Sequence, residues 1–268
     1  LPFVSKVKKL GFDQLEINGG TLVNMPADER AQLKDEAEKH QIKLSYGIGL
    51  TPVNNVSSTN ENIRQAGIGF MKNMISAVNE MGGEMIGGTV HSCWPSTLPA
   101  GASDKKIYWQ QSIRSMKELV KVAEDNNVIL NVEVINRFEQ FLLNTCEEAV
   151  NYVEEINSPY CGILLDTFHM NIEEDSIGDA ILTTGKHLKS MHIGETNRKP
   201  PGLGRMPWGE IKSALDKINY NGSLVMEPFV NPGGKVGRDI GVWRELMPGA
   251  DLDLEAANAV KFVRENLS

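Results

Sequence analysis

Four side chains able to hold a metal ion stand one at a time in the second half of the chain, each at the end of a short apolar run. They are Glu133 in Ile129-Leu-Asn-Val-Glu-Val, Asp166 in Ile163-Leu-Leu-Asp, His192 in Ser190-Met-His-Ile and Glu227 in Leu224-Val-Met-Glu-Pro. Three carboxylates and one imidazole form a hard, oxygen-rich donor set, better suited to Mn²⁺, Mg²⁺ or Co²⁺ than to the sulfur-rich sites of structural zinc. No cysteine shares the pattern, which removes a zinc-ribbon reading. Any one of the four is more simply a strand-end acid or imidazole in an ion pair. Four at successive strand ends are another matter, because gathering buried carboxylates costs several kcal/mol unless a cation compensates.

The elements that must position them follow from the spacing. The gaps of 33, 26 and 35 residues are each about one strand–helix unit, and ligands at the ends of successive buried strands belong at the C-terminal mouth of a (β/α)8 barrel. Apolar runs predict further strands at Gly11–Asn18, Ile42–Gly49 and Glu84–Val90. Helical spacing predicts helices over 26 to 40, 60 to 81, 106 to 125, 145 to 156, 176 to 186, 208 to 218 and 253 to 266. Seven strands alternating with helices imply a parallel sheet in one domain spanning residues 1–268. Phe3, Val4, Val7 and Leu10 already carry a helical stripe. A barrel begins with a strand, so its first strand is expected to be missing from this stretch of chain.

Composition narrows the function classes. Of 268 residues, 41% are hydrophobic and 23% charged, ordinary values for a globular α/β domain. A net charge of −8 argues against a nucleic-acid backbone as the main partner. No apolar run reaches the length of a membrane span, and no signal-peptide core opens the chain. Cys93, Cys146 and Cys161 are too few and scattered for a disulfide framework, so a reducing cytoplasm is the default compartment.

The strings around the four ligands carry a resemblance. Val132-Glu-Val-Ile-Asn-Arg-Phe-Glu, Leu165-Asp-Thr-Phe-His-Met-Asn-Ile-Glu-Glu-Asp, His192-Ile-Gly-Glu-Thr-Asn-Arg, Gly202-Leu-Gly-Arg-Met-Pro-Trp and Met226-Glu-Pro-Phe closely resemble the ketose 3-epimerases, the D-tagatose and D-allulose (psicose) 3-epimerases among the xylose-isomerase-like barrels. The resemblance is dense from about 129 to 246 and thinner from Gly11 to Pro95. It implies a divalent metal, Mn²⁺ first, on Glu133, Asp166, His192 and Glu227. It also implies that Glu133 and Glu227 are two proton-transfer bases working through a cis-enediolate, on a homodimer or homotetramer that takes free ketoses. Ligands three strands apart on an eight-strand circle lie roughly 135° apart, so two such bases can flank a substrate.

Further positions match the motif. Glu139, six residues past Glu133, would bind substrate hydroxyls or tune its neighbour; His169 and Arg198 would bind O2 and O1 and stabilise negative charge. The plainer alternatives are a solvent-facing Glu139, a His169 packed under its loop and an Arg198 in a surface ion pair. Trp94 and Phe229 offer an apolar wall for the sugar's far carbons, or simple packing. His91 and Cys93 share the Trp94 loop, and family members commonly carry an aromatic where Cys93 stands, a departure that bears on pocket shape. Gly87-Gly88 lacks the Lys-Ser/Thr of a phosphate loop, and close backbone approach at a strand end is the better reading. Met25, Met71, Met74 and Met81 read as helix core, His40 and His187 as surface. An aldose–ketose isomerase on the same barrel is the nearest rival. A DNA-repair endonuclease would want more histidine and a basic face than this chain has, and a non-catalytic sugar-binding barrel would not need both bases.

Overall fold

The computed structural model describes residues 2–267 and centres on one seven-stranded sheet. The strands are β1 Gln14–Asn18, β2 Lys43–Gly49, β3 Met85–Thr89, β4 Ile129–Val134, β5 Cys161–Asp166, β6 Leu188–Ile193 and β7 Ser223–Met226. Every neighbouring pair is parallel and spatial order follows chain order. These are the seven apolar runs read from the sequence. Parallel neighbours require crossovers, and helices supply them, among them Ala27–His40, Glu61–Glu80, Lys106–Asp125, Cys146–Ile156, Ile177–Thr184 and Trp208–Lys217. The sheet rolls until β7 returns to β1, where Ser223 Oγ donates to Gln14 Oε1 across 2.8 Å. The result is a nearly closed TIM barrel with its helices outside. The last helix, Leu252–Leu267, ties the chain ends together, Arg264 reaching the Gly11 carbonyl and Asp13.

Residue alternation explains why one face of each strand is free for chemistry. In β4, Leu130, Val132 and Val134 are buried in the apolar core, which leaves Asn131 and Glu133 on the other face. Glu61–Glu80 buries Ile68, Met71, Ile75 and Val78, one helical stripe, each such side chain stabilising by about 1.5–3 kcal/mol. Met71 and Met74 are core, as expected; Met25 and Met81 lie just past helix ends as cap residues rather than within helices. Side-chain caps start several crossovers: Asn60 accepts from Asn62 and Ile63, Thr145 from Glu148, and Ser176 from Asp179.

Four short elements were not anticipated: Gly19–Asn24, the 3-10 turn Pro52–Asn54, Thr167–Glu173 and Gly234–Asp239. Each follows a strand at the C-terminal end of the barrel. At seven residues or fewer they are too short to show a helical period, and together they build the rim of the mouth. Gly88 illustrates the tight spacing beneath it. Its φ is +111°, and a Cβ there would stand 2.1 Å from the Ile48 carbonyl oxygen, so β3 approaches β2 as only glycine allows.

Candidate active site

The barrel mouth gathers the four strand-end side chains Glu133, Asp166, His192 and Glu227. One ligand atom from each of Glu133, Asp166, His192 and Glu227 lies within 4.8 Å of the others. Asp166 and His192 are register partners between β5 and β6, which sets them side by side. Glu227 stands one residue past β7, its N–H still donating to the Ile193 carbonyl. Asp166 divides its carboxylate: Oδ1 accepts from the Phe168 N–H at the start of Thr167–Glu173, and Oδ2 is left for the site.

The His192 ring is aimed by its surroundings. Nδ1 lies 3.5 Å from Glu133 Oε1 and 3.7 Å from Glu227 Oε2, while Nε2 lies 3.2 Å from Glu16 Oε1. Both ring nitrogens are buried without a hydrogen-bond partner. An unpaired Nδ1 beside the Glu133 and Glu227 carboxylates fits a hard divalent cation, and an oxygen-rich set with one nitrogen and no sulfur is the chemistry such an ion takes.

Electrostatics describe the same crowding. Burial pushes the Glu227 carboxyl up to about 8; the Asp166 and Glu133 carboxylates add to the rise, and His192 and Arg198 offset only part of it. A third of the Glu227 side chain remains open to the cavity, so water softens the effect. Burial alone would lower His192, yet Glu16, Glu227 and Glu133 hold it well above its ordinary value. Burial would raise Asp166, but His169, Arg198 and His192 keep it below the usual carboxylate range.

The remaining motif residues line a cavity of about 620 Å³ above this floor, together with Trp94 and Phe229. Arg198 has φ +61°, a left-handed backbone rare for arginine. Its guanidinium lies 3.8 Å from the Phe168 ring centre and 5.1 Å from that of Phe229, and its Nη1 reaches Asp166 Oδ2 at 3.2 Å and Glu227 Oε2 at 3.3 Å. It is a buried group between aromatics, not a surface ion pair. Glu139 is also inward: it accepts from Trp94 Nε1 at 3.1 Å and from Asn136 Nδ2 at 3.0 Å. Asn136 is itself oriented, because its Oδ1 accepts from the Phe138 N–H. Its Nδ2 therefore faces His169 Nδ1 at 2.7 Å as a donor, which leaves the His169 proton on Nε2, 3.7 Å from Asp166 Oδ2.

Other expectations divide. His91 and Cys93 are buried but neither lines the cavity; His91 packs edge-on to Tyr152, and burial pushes it down to about 3, keeping it neutral. Cys93, Cys146 and Cys161 are buried free thiols, and burial raises Cys146 and Cys161 to about 12. His40 is half-buried against Glu36 at 2.8 Å. No helix among the described residues is long and apolar enough to cross a membrane.

Four residues at or beside the site escaped the sequence reading. Glu16 lies in the middle of the short strand Gln14–Asn18 with no apolar run before it, so it lacks the strand-end signature of Glu133, Asp166, His192 and Glu227. Asn136 and Phe168 lie inside the motif strings, but their partners are visible only in three dimensions. Glu195, also within a string, is buried and pins the Arg198 loop: it accepts from the N–H groups of Gly202 at 2.7 Å and Met206 at 2.9 Å and from Trp208 Nε1 at 2.9 Å.

Fold and site together define a class. The family model described as xylose isomerase-like TIM barrel matches residues 4–246. A D-psicose 3-epimerase of Ruminiclostridium cellulolyticum is 44% identical over 98% of this chain and 90% of its own length, and one of Agrobacterium fabrum is 42% identical over 98% and 92%. The solved D-psicose 3-epimerase of Clostridium cellulolyticum with D-tagatose superposes with a TM-score of 0.96 at 44% identity, covering 100% of this chain and 93% of that one. The chain belongs to the ketose 3-epimerase family, isomerase-class enzymes within the xylose isomerase-like barrels.

Proposed function

We propose that this protein epimerises free ketoses at C3, interconverting D-fructose with D-psicose (allulose) or D-tagatose with D-sorbose, with Glu133 and Glu227 as the two bases. The observation that carries the reading is their convergence: two glutamates from strands three apart reach one floor, in one cavity, beside two N–H donors. The relatives' names agree, and two solved relatives were studied with D-tagatose and with D-fructose.

The C3 proton is acidic because it adjoins the C2 carbonyl. One glutamate carboxylate removes it, the electron pair moves into the C2–C3 bond, and charge collects on O2 of a cis-enediolate. The other glutamate, protonated, returns a proton to C3 from the opposite face, which inverts the centre. Which acid starts depends on which epimer is bound. A divalent metal, Mn²⁺ first and Mg²⁺ or Co²⁺ as alternatives, held by Glu133, Asp166, His192 and Glu227, supplies Lewis-acid polarisation of the carbonyl. Arg198, fixed between Phe168 and Phe229, and His169, held as an Nε2–H donor by Asn136, offer fixed donors for the negative charge that develops. Glu139, anchored by Trp94 and Asn136, is placed to accept from sugar hydroxyls.

Reaction in deuterated water tests the assignment. With Mn²⁺ and D-fructose or D-tagatose, the C3 epimer should appear with deuterium at C3, and Glu133→Gln and Glu227→Gln should each abolish turnover while far-UV circular dichroism is unchanged. Exchange at C1 with an aldose product would instead make the protein an aldose–ketose isomerase.

A further inference from the structure

Glu16 lies outside the four-ligand cluster yet faces its only imidazole. Its Oε1 is 3.2 Å from His192 Nε2, on the side of the ring opposite the nitrogen that meets Glu133 and Glu227. Two features hold it there. Gly47, two residues past the Glu16 register partner Ser45 on β2, leaves the space: a Cβ at that position would stand 2.7 Å from Glu16 Oε1. A directional hydrogen-bond chain holds the other oxygen. Ser223 Oγ donates to Gln14 Oε1 at 2.8 Å, Gln14 Nε2 donates to Ser45 Oγ at 2.6 Å, and Ser45 Oγ donates to Glu16 Oε2 at 3.4 Å. Because Gln14 already fills an acceptor position on Ser45, the serine hydrogen is free to point at the carboxylate. The chain crosses from β7 to β1 to β2, bridges the seam where the barrel closes, and ends on Glu16.

An imidazole can bind a cation through Nδ1 only if its proton sits on Nε2. A carboxylate facing that Nε2–H selects this tautomer, fixes the ring and strengthens the free nitrogen as a donor. We propose that Glu16 is a positioning residue of the metal centre, holding His192 with its proton on Nε2 and its Nδ1 lone pair turned to Glu133 and Glu227. The inference rests on the metal-binding reading of those four residues and adds a fifth residue from β1, across the seam where the barrel closes.

Mn²⁺ titration of the purified protein, followed by the paramagnetic resonance signal of free Mn²⁺, reads the role directly. Loss of such an outer carboxylate weakens metal binding by roughly 10–100-fold, and Glu16→Ala should show it. Glu16→Gln, which keeps an acceptor oxygen but not the charge, should fall between Glu16→Ala and the parent. Gly47→Ala leaves the carboxylate intact and crowds Oε1, so it should weaken Mn²⁺ in the same direction. At saturating Mn²⁺ the Glu16→Gln variant should recover C3 epimerisation to within a few-fold of the parent, which a general loss of structure would not permit. A Glu16→Ala protein that binds Mn²⁺ within twofold of the parent overturns the proposal while leaving the four-ligand site standing. A His192→Ala protein that binds Mn²⁺ as tightly as the parent overturns both.

Discussion

Replacing Glu195 should loosen the loop that carries Arg198 and thereby damage the site from behind. The buried carboxylate accepts three N–H groups, two on Oε1 from Gly202 and Trp208 and one on Oε2 from Met206. The same segment closes on itself, with Arg198 N–H donating to the Glu195 carbonyl and Glu195 N–H to that of Lys199. In Glu195→Gln the remaining oxygen can still serve Gly202 and Trp208, but an NH₂ group meets the Met206 N–H, donor against donor. A hydrogen bond to a charged group is worth about 1.5–3 kcal/mol, and a buried donor left unpaired costs about 1–3 kcal/mol. The two losses overlap, so a total of about 3–5 kcal/mol is expected. Trp208→Phe removes one donor and leaves the acceptor paired to Gly202, and should cost only about 1–2 kcal/mol. Urea unfolding of the metal-free proteins gives both values. Steady-state kinetics at saturating Mn²⁺ should show kcat/KM for Glu195→Gln at least tenfold down, because the left-handed backbone of Arg198 depends on that turn. Stability within about 1 kcal/mol of the parent would refute the reasoning.

Metal uptake should be coupled to protons. In the metal-free protein Glu227 is raised to about 8 and His192 well above its ordinary value, so both hold protons at pH 7. The stabilisation that Glu227 draws from its proton is complete below its ordinary 4.5 and is lost as pH rises through about 8; that of His192 is complete below 6.5 and lost above its raised folded value. Ligation needs both groups unprotonated, so Mn²⁺ binding at pH 7 should release roughly two protons. Calorimetry in buffers of different ionisation enthalpy counts them, and release near zero would contradict the assignment. Asn136→Leu should remove the donor that fixes the His169 tautomer and one of the anchors of Glu139. Turnover should fall by roughly 10–100-fold with Mn²⁺ affinity unchanged, since Asn136 touches none of the four ligands; an equal loss of Mn²⁺ affinity would place Asn136 in the wrong role.

Much of the protein was legible before folding is considered, for a local reason. β4, β5 and β6 are buried parallel strands, so their sequences are apolar runs, and an acid or imidazole closing such a run stands out whatever the rest of the chain does. Period and spacing then set strands, crossovers and the four strand-end ligands. Glu16 sits in the middle of β1 and reads as an ordinary strand acid, because only closure of the sheet brings it to His192. Asn136, Phe168 and Glu195 show the other limit. Each acts through a partner supplied by another loop, or by a turn whose short helix has no period to read, and hydrogen-bond direction is a property of positions rather than of residue order. Strand ends declare which groups the mouth will contain. Barrel closure decides which of them face one another, because only the three-dimensional path of the sheet sets the distances between side chains on different strands.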